Sequence, residues 1–179
     1  MALMIFSKFK LTAALAFGVM ALPAMAIAAD IANGNLIGTD GSTRGTVQVT
    51  DAPGGVLLRI EAQGLTPGWH GIHFHEKGNC GVPKFTDAGA HVHTVKPVLH
   101  GLMNAGANDA GDLPNIYVGE NGKATVELYS TLVSLNPKGG RPPLLDADGA
   151  AVVIHAKPDD YRTQPIGGSG DRVACAVLH

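Results

Sequence analysis

The feature that most constrains the fold is the stretch 55–64, whose side chains alternate between apolar and mainly polar positions. Val56, Leu58 and Ile60 fall on one side, and Leu57, Arg59 and Glu61 fall on the other. Such a period of two is typical of a β-strand with one buried face. Helical periodicity is hard to find elsewhere, and 24 glycines and 11 prolines separate short β-rich runs. The sequence therefore predicts an all-β sandwich or barrel.

Eight segments have the composition of strands and are bounded by turn residues. The segment 51–55 has the composition of a hairpin turn, and Asn121-Gly122 is a second hairpin signal. The predicted strands are 31–38, 43–50, 55–64, 69–77, 115–119, 124–130, 150–156 and 172–178.

Two longer segments, 78–114 and 157–171, do not fit a strand. Long loops inside a compact domain are usually either functional or disordered. Residue types that bind metals cluster in the first of them, which favours function over disorder. They are His91, His93, His100, Asp109 and Asp112.

His73 and His75 stand two residues apart in the predicted strand 69–77. Because strand side chains repeat with a period of two, both imidazoles leave the same face. Two imidazoles so close together suit copper or zinc. The alternative is a pair of surface histidines on a solvated strand, and the other histidines of the chain, including His155, argue against it.

The N-terminus has the pattern of a secretory signal peptide. Lys8 and Lys10 precede an apolar run at 11–22, and Ala24-Met25-Ala26 is a small-residue cleavage pattern. A membrane anchor is the alternative, but the run is short and is followed by Pro23. We therefore expect a signal peptide at 1–26, with cleavage there or as far as residue 29. The domain 27–179 would then be periplasmic or otherwise exported, and free of the membrane.

The mature chain of about 150 residues corresponds to one domain. Loss of the two N-terminal lysines changes the net charge from −2 to −4, with 11 basic residues against 15 acidic ones. With no basic patch, we expect no nucleic-acid partner. An anionic substrate would need locally positive charge. In an oxidising compartment the two cysteines, Cys80 and Cys175, favour one disulfide, and two free thiols are the alternative.

Several motifs occur in a fixed order along the mature chain. They are His70-Gly71-Ile72-His73-Phe74-His75, Cys80, Ala88-Gly89-Ala90-His91, His100-Gly101, Gly111-Asp112-Leu113-Pro114-Asn115, Val153-Ile154-His155 and Gly170-Asp171-Arg172-Val173-Ala174-Cys175. This ordered set resembles the copper,zinc superoxide dismutase family in its bacterial, exported form. The resemblance implies an eight-stranded Greek-key β-barrel or sandwich with two long functional loops. It also implies an enzyme that disproportionates the superoxide anion to oxygen and hydrogen peroxide, with copper and zinc as cofactors, as a monomer or a homodimer.

The resemblance also implies a role for each site residue. Copper would be held by His73, His75, His91 and His155. His91 would bridge copper to zinc and act in catalysis together with Arg172, whose charged fork of donors suits a small anion. Asp159 would link metal ligands, His70 would be a structural histidine, and Cys80 and Cys175 would form the disulfide.

The zinc site departs from the family pattern of three histidines and one aspartate. His91, His100 and Asp112 match, but the position three before Asp112 holds Asp109 instead of histidine. Carboxylate oxygen is an acceptable zinc donor, so we expect Asp109 to be the fourth ligand. His93 in that role, or a protein that works with copper alone, are the other outcomes.

Two functions other than the enzyme remain open at this point. One is an envelope copper-binding protein with weak or no catalysis and an impaired zinc site. The other is an adhesion module without metals, which the histidine spacing disfavours. Arg172 and Asp159 favour the enzyme, because a copper store needs neither anion guidance nor a carboxylate that tunes its ligands.

Overall fold

The structure is a computed structural model that describes residues 30–179. The expected signal peptide and all its cleavage positions lie outside the described residues. Among residues 30–179 no helix is long and apolar enough to cross a membrane. This described part contains one short 3-10 helix (Thr86–Ala88) and nine strands. The strands are β1 (Ile31–Gly38), β2 (Thr43–Ala52), β3 (Gly55–Gln63), β4 (Gly68–His70), β5 (Ile72–His75), β6 (Ile116–Val118), β7 (Lys123–Ser130), β8 (Ala151–His155) and β9 (Arg172–Val177).

All strand pairs are antiparallel. Seven strands form one sheet in the order β5-β8-β9-β1-β2-β3-β7, and β4 and β6 form a second sheet. β6 also lies against β7, so the smaller sheet continues the larger one. Several neighbours in the sheet are far apart in the chain, as in β5 with β8 and β9 with β1, which is typical of Greek-key topology. The expected all-β fold is confirmed.

The predicted strand 69–77 is split in two, which raises the number of strands in the described residues from eight to nine. β4 pairs with β6, whereas β5 pairs with β8. Gly71 lies at the break: its N–H donates to the Lys157 carbonyl at 2.8 Å, and its carbonyl accepts from the His155 N–H at 2.8 Å. A Cβ at Gly71 would lie only 2.9 Å from the Cβ of Ser169. Glycine therefore lets the loop 157–171 approach the sheet here.

The apolar residues form a main core and a smaller second cluster. In β3, Val56, Leu58 and Ile60 are buried in the main core, as the alternation predicts. β8 is buried on both faces and separates the two clusters: Val152 and Ile154 belong to the main core. The second cluster consists of Phe85, Ala88, Ala151, Val153 and Cys175.

The segment 131–150 is a third long loop that the sequence analysis did not anticipate. It contributes Val133, Leu135 and Leu144 to the main core, all fully buried. Its two arms are joined by backbone hydrogen bonds, from the Ser134 N–H to the Pro142 carbonyl at 3.1 Å and from the Leu144 N–H to the Ser134 carbonyl at 2.9 Å. This loop therefore closes part of the core that strands leave open.

A disulfide joins Cys80, at the start of the loop 78–114, to Cys175 in β9. It is the pair that the sequence predicts. The bond ties the loop to the sheet at a position 95 residues further along the chain.

Candidate metal centre

β5 and β8 place three histidines side by side. In β5, His73 and His75 alternate with Ile72 and Phe74, which enter the main core. β8 pairs with β5 and ends at His155. The ring centroids of His73 and His155 are 4.9 Å apart, and those of His75 and His155 are 5.8 Å apart. Antiparallel pairing of the two strands therefore assembles three imidazoles on the face opposite to the core residues of β5.

The loop 78–114 returns along β5 and brings His91 to the same face. The Phe74 N–H donates to the Gly111 carbonyl at 2.9 Å, and the Phe74 carbonyl accepts from the Val92 N–H at 2.9 Å. This close approach requires glycine at position 111, because a Cβ there would overlap the Phe74 carbonyl oxygen. The His91 ring then stacks on His73 with a centroid separation of 4.0 Å. His91 is therefore positioned by backbone hydrogen bonds between its loop and β5.

The first donor group consists of four buried imidazoles that converge. One nitrogen of each ring lies within 4.8 Å of a nitrogen of every other ring. One nitrogen of each ring is also buried without a hydrogen-bond partner, and buried polar atoms are rarely left so. Four converging imidazole nitrogens are the donor set that suits copper. The unpaired atoms are Nδ1 of His73 and Nε2 of His75, His91 and His155.

The other nitrogen of each of these rings bonds to a fixed acceptor. Such a bond determines which nitrogen carries the proton and leaves the opposite lone pair free for a metal. The pairs are His75 Nδ1 with the Gly89 carbonyl (3.0 Å), His155 Nδ1 with the Gly170 carbonyl (3.1 Å), His73 Nε2 with Asp159 Oδ2 (2.9 Å) and His91 Nδ1 with Asp109 Oδ2 (2.8 Å).

The second donor group consists of His73, His91, His100 and Asp112, whose ligand-type atoms also lie within 4.8 Å of one another. His100 Nδ1 is 2.6 Å from Asp112 Oδ1, yet neither atom has a partner with hydrogen-bond geometry. The two buried atoms are therefore directed at the space between the donors of this group, where a cation could bind, and not at each other. Imidazole nitrogen with carboxylate oxygen is a donor set that suits zinc.

Asp109 lies beside this second group. Its Oδ2 atom is 2.8 Å from His91 Nδ1 and 3.4 Å from His100 Nδ1, and its side chain is buried. Its other oxygen, Oδ1, accepts from the Gly111 N–H at 3.0 Å. The structure therefore brings Asp109 to the three residues that match the family pattern.

His93, the alternative zinc ligand, belongs to neither donor group found among the described residues. Its Nδ1 atom donates to the His91 carbonyl at 2.8 Å and lies 3.5 Å from Glu76 Oε2. The His93 ring is therefore held by a backbone carbonyl and by Glu76, the residue that follows β5. It lies outside the set of converging donors.

Asp159 joins the two groups. Its Oδ2 atom contacts His73 Nε2 at 2.9 Å, and its Oδ1 atom contacts His100 Nε2 at 3.1 Å. The carboxylate also accepts from the Tyr161 N–H at 2.6 Å, and the Asp159 N–H donates to Asn115 Oδ1 at 2.9 Å. One buried carboxylate thus fixes one histidine of each group.

The two groups differ in their protonation. Burial lowers the pKa of His73 to about 4 and that of His155 to about 3, and it holds the pKa of His75 well below the usual value. Burial also acts downward on His91 and His100, but their close contacts with the carboxylates of Asp109 and Asp112 outweigh it. The pKa of His91 is therefore raised, and that of His100 is raised to about 11. At pH 7 His73, His75 and His155 are therefore neutral, whereas the raised pKa values of His91 and His100 favour their protonated forms.

Arg172 begins β9 and is held by two backbone carbonyls. Its Nη1 donates to the Phe85 carbonyl at 2.6 Å, and its Nη2 donates to the Gly89 carbonyl at 2.7 Å. Both acceptors flank the 3-10 helix with positive φ, +55° at Phe85 and +76° at Gly89. The Gly89 carbonyl also accepts from His75, so it fixes the guanidinium next to the first donor group. Arg172 lines an open recess of about 530 Å³ together with Lys84.

His70 is buried outside both groups. Its Nδ1 atom lies 2.6 Å from the His155 carbonyl oxygen, and its Nε2 atom lies 2.8 Å from the Thr66 carbonyl oxygen. The ring therefore ties β4 to the end of β8, the position at which His155 leaves the strand.

The sequence model of the family described as copper/zinc superoxide dismutase matches residues 43–178. The chain belongs to this family. It is 63% identical to the superoxide dismutase [Cu-Zn] of Caulobacter vibrioides over 139 residues, which cover 78% of this chain and 80% of that protein. Members of this family use copper and zinc as cofactors, and the two donor groups fit these metals.

Two solved structures extend the comparison. A superoxide dismutase-like protein from Bacillus subtilis superposes with a TM-score of 0.75 at 36% identity, covering 82% of this chain and 97% of that one. The Cu/Zn superoxide dismutase from Brucella abortus gives a TM-score of 0.67 at 27% identity, covering 84% and 100%. The antiparallel all-β fold described above is therefore the family fold.

Sequence reasoning missed Phe85 and Gly89, whose carbonyls hold Arg172. A backbone carbonyl can come from any residue type, so side-chain chemistry gives no signal for it. Gly89 could have been suspected, because glycine is the usual residue at positive φ. Phe85 could not, because an aromatic residue rarely adopts this conformation.

Proposed function

We propose that this protein is a superoxide dismutase that converts two superoxide anions and two protons into oxygen and hydrogen peroxide. The observation that carries the proposal is the set of four buried, converging imidazole nitrogens that lack hydrogen-bond partners. They belong to His73, His75, His91 and His155, which we propose as the copper ligands. When bound, copper supplies the one-electron oxidation and reduction that this reaction needs.

We propose Arg172 as the residue that receives the substrate. A guanidinium remains charged at all working pH values and presents several donors in one plane. Its Nη1 and Nη2 atoms are engaged with carbonyls, so its orientation is fixed before an anion arrives. In a protein with net negative charge, this side chain and Lys84 in the same recess provide locally positive potential for an anion.

We propose His91 as the residue that handles a proton. Among the four imidazoles of the first group, only His91 has its hydrogen-bonded nitrogen facing Asp109 and Asp112. The Nδ1 atom lies 2.8 Å from Asp109 Oδ2 and 3.5 Å from Asp112 Oδ1. Its pKa is raised, whereas burial lowers the pKa of the other three rings. The Nε2 atom of this ring faces the other three imidazoles, so a proton held at Nε2 would be directed at the space beside the copper group where the anion is reduced.

For zinc, we propose His91, His100 and Asp112 as ligands, with Asp109 as the fourth. The Nδ1 atoms of both histidines and the facing carboxylate oxygens are separated by 2.6 to 3.5 Å. These distances leave room for one small cation between the two imidazoles and the two carboxylates. Zinc accepts this donor set. Asp159 would then fix both sites through His73 and His100.

We propose that the working protein is exported. The pattern at residues 1–26 and the Cys80–Cys175 bond both support a mature domain at 27–179 in the periplasm or another oxidising compartment. We expect this domain to act as a monomer or a homodimer. An envelope copper store is the less favoured function, since a store has no need of Arg172 fixed beside the ligands.

The experiment is metal analysis together with a superoxide-consumption assay on the purified, copper- and zinc-loaded protein. The wild type should hold one copper per chain and accelerate superoxide loss. His155→Ala should lower the rate and copper affinity by more than ~100-fold, since even groups that only support a ligand change affinity by 10–100-fold. His179→Ala is the matched control, because its exposed ring lies outside both groups. A fully copper-loaded wild type that fails to consume superoxide would establish the copper store instead.

A further inference from the structure

Asp109 differs from the histidine of the family pattern in what it can do for the copper ligands. We infer that Asp109 holds His91 in the tautomer and orientation that copper requires, so that the copper site is complete without zinc. The inference rests on the copper ligands proposed above, but it concerns copper binding and not the rate of dismutation. It makes Asp109 a positioning residue that acts through His91.

The first step is the tautomer of His91. A neutral imidazole carries an N–H on one ring nitrogen and a free lone pair on the other. The hydrogen-bond acceptor of the N–H therefore determines which nitrogen can bind a metal. Asp109 Oδ2 lies 2.8 Å from Nδ1 with hydrogen-bond geometry. A carboxylate can only accept, so the proton stays on Nδ1. In the neutral ring, which is the form that binds a metal, the free lone pair is then on Nε2, the buried, unpaired atom facing His73, His75 and His155.

The second step is that Asp109 is itself fixed. Its Oδ1 atom accepts from the Gly111 N–H at 3.0 Å, and the Gly111 carbonyl accepts from the Phe74 N–H at 2.9 Å. Phe74 stands between His73 and His75 in β5. The carboxylate is therefore tied, through two short backbone links, to the strand that carries two other copper ligands.

The third step is the contrast with Asp112. Asp112 Oδ1 lies 2.6 Å from His100 Nδ1 without hydrogen-bond geometry, as expected of atoms directed at a common cation. Asp109 Oδ2, at a similar distance from His91, does have that geometry. The two aspartates therefore have different roles. Asp112 is directed at the second metal, whereas Asp109 accepts the hydrogen bond of His91 until a second metal competes for the same oxygen.

A histidine at position 109 would not give this independence. A metal-free imidazole can either donate or accept, so it would leave both tautomers of His91 accessible. The tautomer of His91 would be determined only once zinc bound both His91 and the histidine at position 109. In this chain a carboxylate takes the place of the zinc ion as the group that orients His91.

The test uses the purified full-length mature protein, freed of zinc and loaded with one copper(II) per chain. Copper affinity is measured by competition with a chelator, and the number of nitrogen donors is read from the copper(II) EPR spectrum. Wild type should show four nitrogen donors. Asp109→Ala should lose 10- to 100-fold in copper affinity and show three nitrogen donors. Asp109→Asn should be close to wild type, because its amide oxygen still accepts from His91.

Asp112→Asn is the matched control, since it removes one negative charge from the same cluster and leaves the His91 acceptor in place. It should leave zinc-free copper affinity and the nitrogen count unchanged. The inference is wrong if Asp109→Ala binds copper like wild type, or if Asp112→Asn weakens copper as much as Asp109→Ala does. An inactive wild type with these copper affinities would refute the proposed function alone, because neither measurement depends on superoxide.

Discussion

The disulfide between Cys80 and Cys175 should be the largest single contribution to the stability of the metal-free protein. It closes a segment with a sequence separation of 95 residues. Loss of chain entropy in the unfolded state makes a loop of that size worth about 4.7 kcal/mol. A domain of this kind is stable by only about 5–15 kcal/mol. Opening the bond should therefore remove a third or more of the free energy of unfolding and raise the unfolded fraction roughly a few thousand-fold.

The assay is urea denaturation of metal-free protein, followed by circular dichroism, for the wild type and for Cys80→Ser. Cys80 is the better position to change, because it is only half-buried whereas Cys175 is fully buried. Wild type in excess reductant is the matched control: it loses the same cross-link and keeps both sulfur atoms. Equal losses in the two samples would assign the effect to loop closure.

Metal loading should raise the free energy of unfolding of both forms, because copper binds the folded arrangement of His75, His91 and His155 and not the unfolded chain. The reasoning fails if both metal-free samples lose less than about 2 kcal/mol, since the expected entropic effect is more than twice that.

Two further predictions concern charge and protons. Arg172→Glu should retain copper but lower the second-order rate with superoxide by ~10-fold or more, with a weakened or reversed salt dependence in stopped-flow measurements; an unchanged rate and salt dependence would contradict the substrate role. Zinc binding to metal-free protein should strengthen steeply as pH rises from 6 to 9, because the pKa values of His91 and His100 are raised and zinc must displace their protons. Copper binding should depend less on pH above 5, because His91 is the only one of its four ligands with a raised pKa, whereas the pKa values of His73 and His155 are lowered to about 4 and about 3. Calorimetry in buffers of different ionisation enthalpy measures the proton release of both metals, and equal proton release would refute the contrast.

β3 was predictable because its side chains alternate between buried and exposed positions, as in a strand with one buried face. β1 coincides with its predicted range, and the predicted hairpins connect β2 with β3 and β6 with β7. The break at Gly71 was not predictable, because it depends on the loop 157–171 packing against the backbone from a distant part of the chain. The contribution of the loop 131–150 to the core was hidden for a similar reason. Its buried Leu135 and Leu144 have no strand-like or helical period.

The donor residues of the site were predictable from the order of the motifs, but the partners of their second nitrogens were not. His75 and His155 each donate to a glycine carbonyl, Gly89 and Gly170, at a distance that depends on loop geometry. Asp109 could be singled out from sequence as a departure from the pattern. Its bond to His91 could not, because sequence does not show which of several nearby donors a buried carboxylate will face.

The disulfide and Arg172 belong to one structural unit. Cys175 lies three residues after Arg172 in β9 and packs in the second apolar cluster with Phe85. Phe85 is fully buried and presents its carbonyl to Arg172 from a positive-φ conformation, which costs free energy unless its surroundings hold it. The buried ring supplies that restraint, and the cross-link fixes the loop that carries the ring. The position of the charge that we propose to meet superoxide is thus determined by apolar packing around the bond.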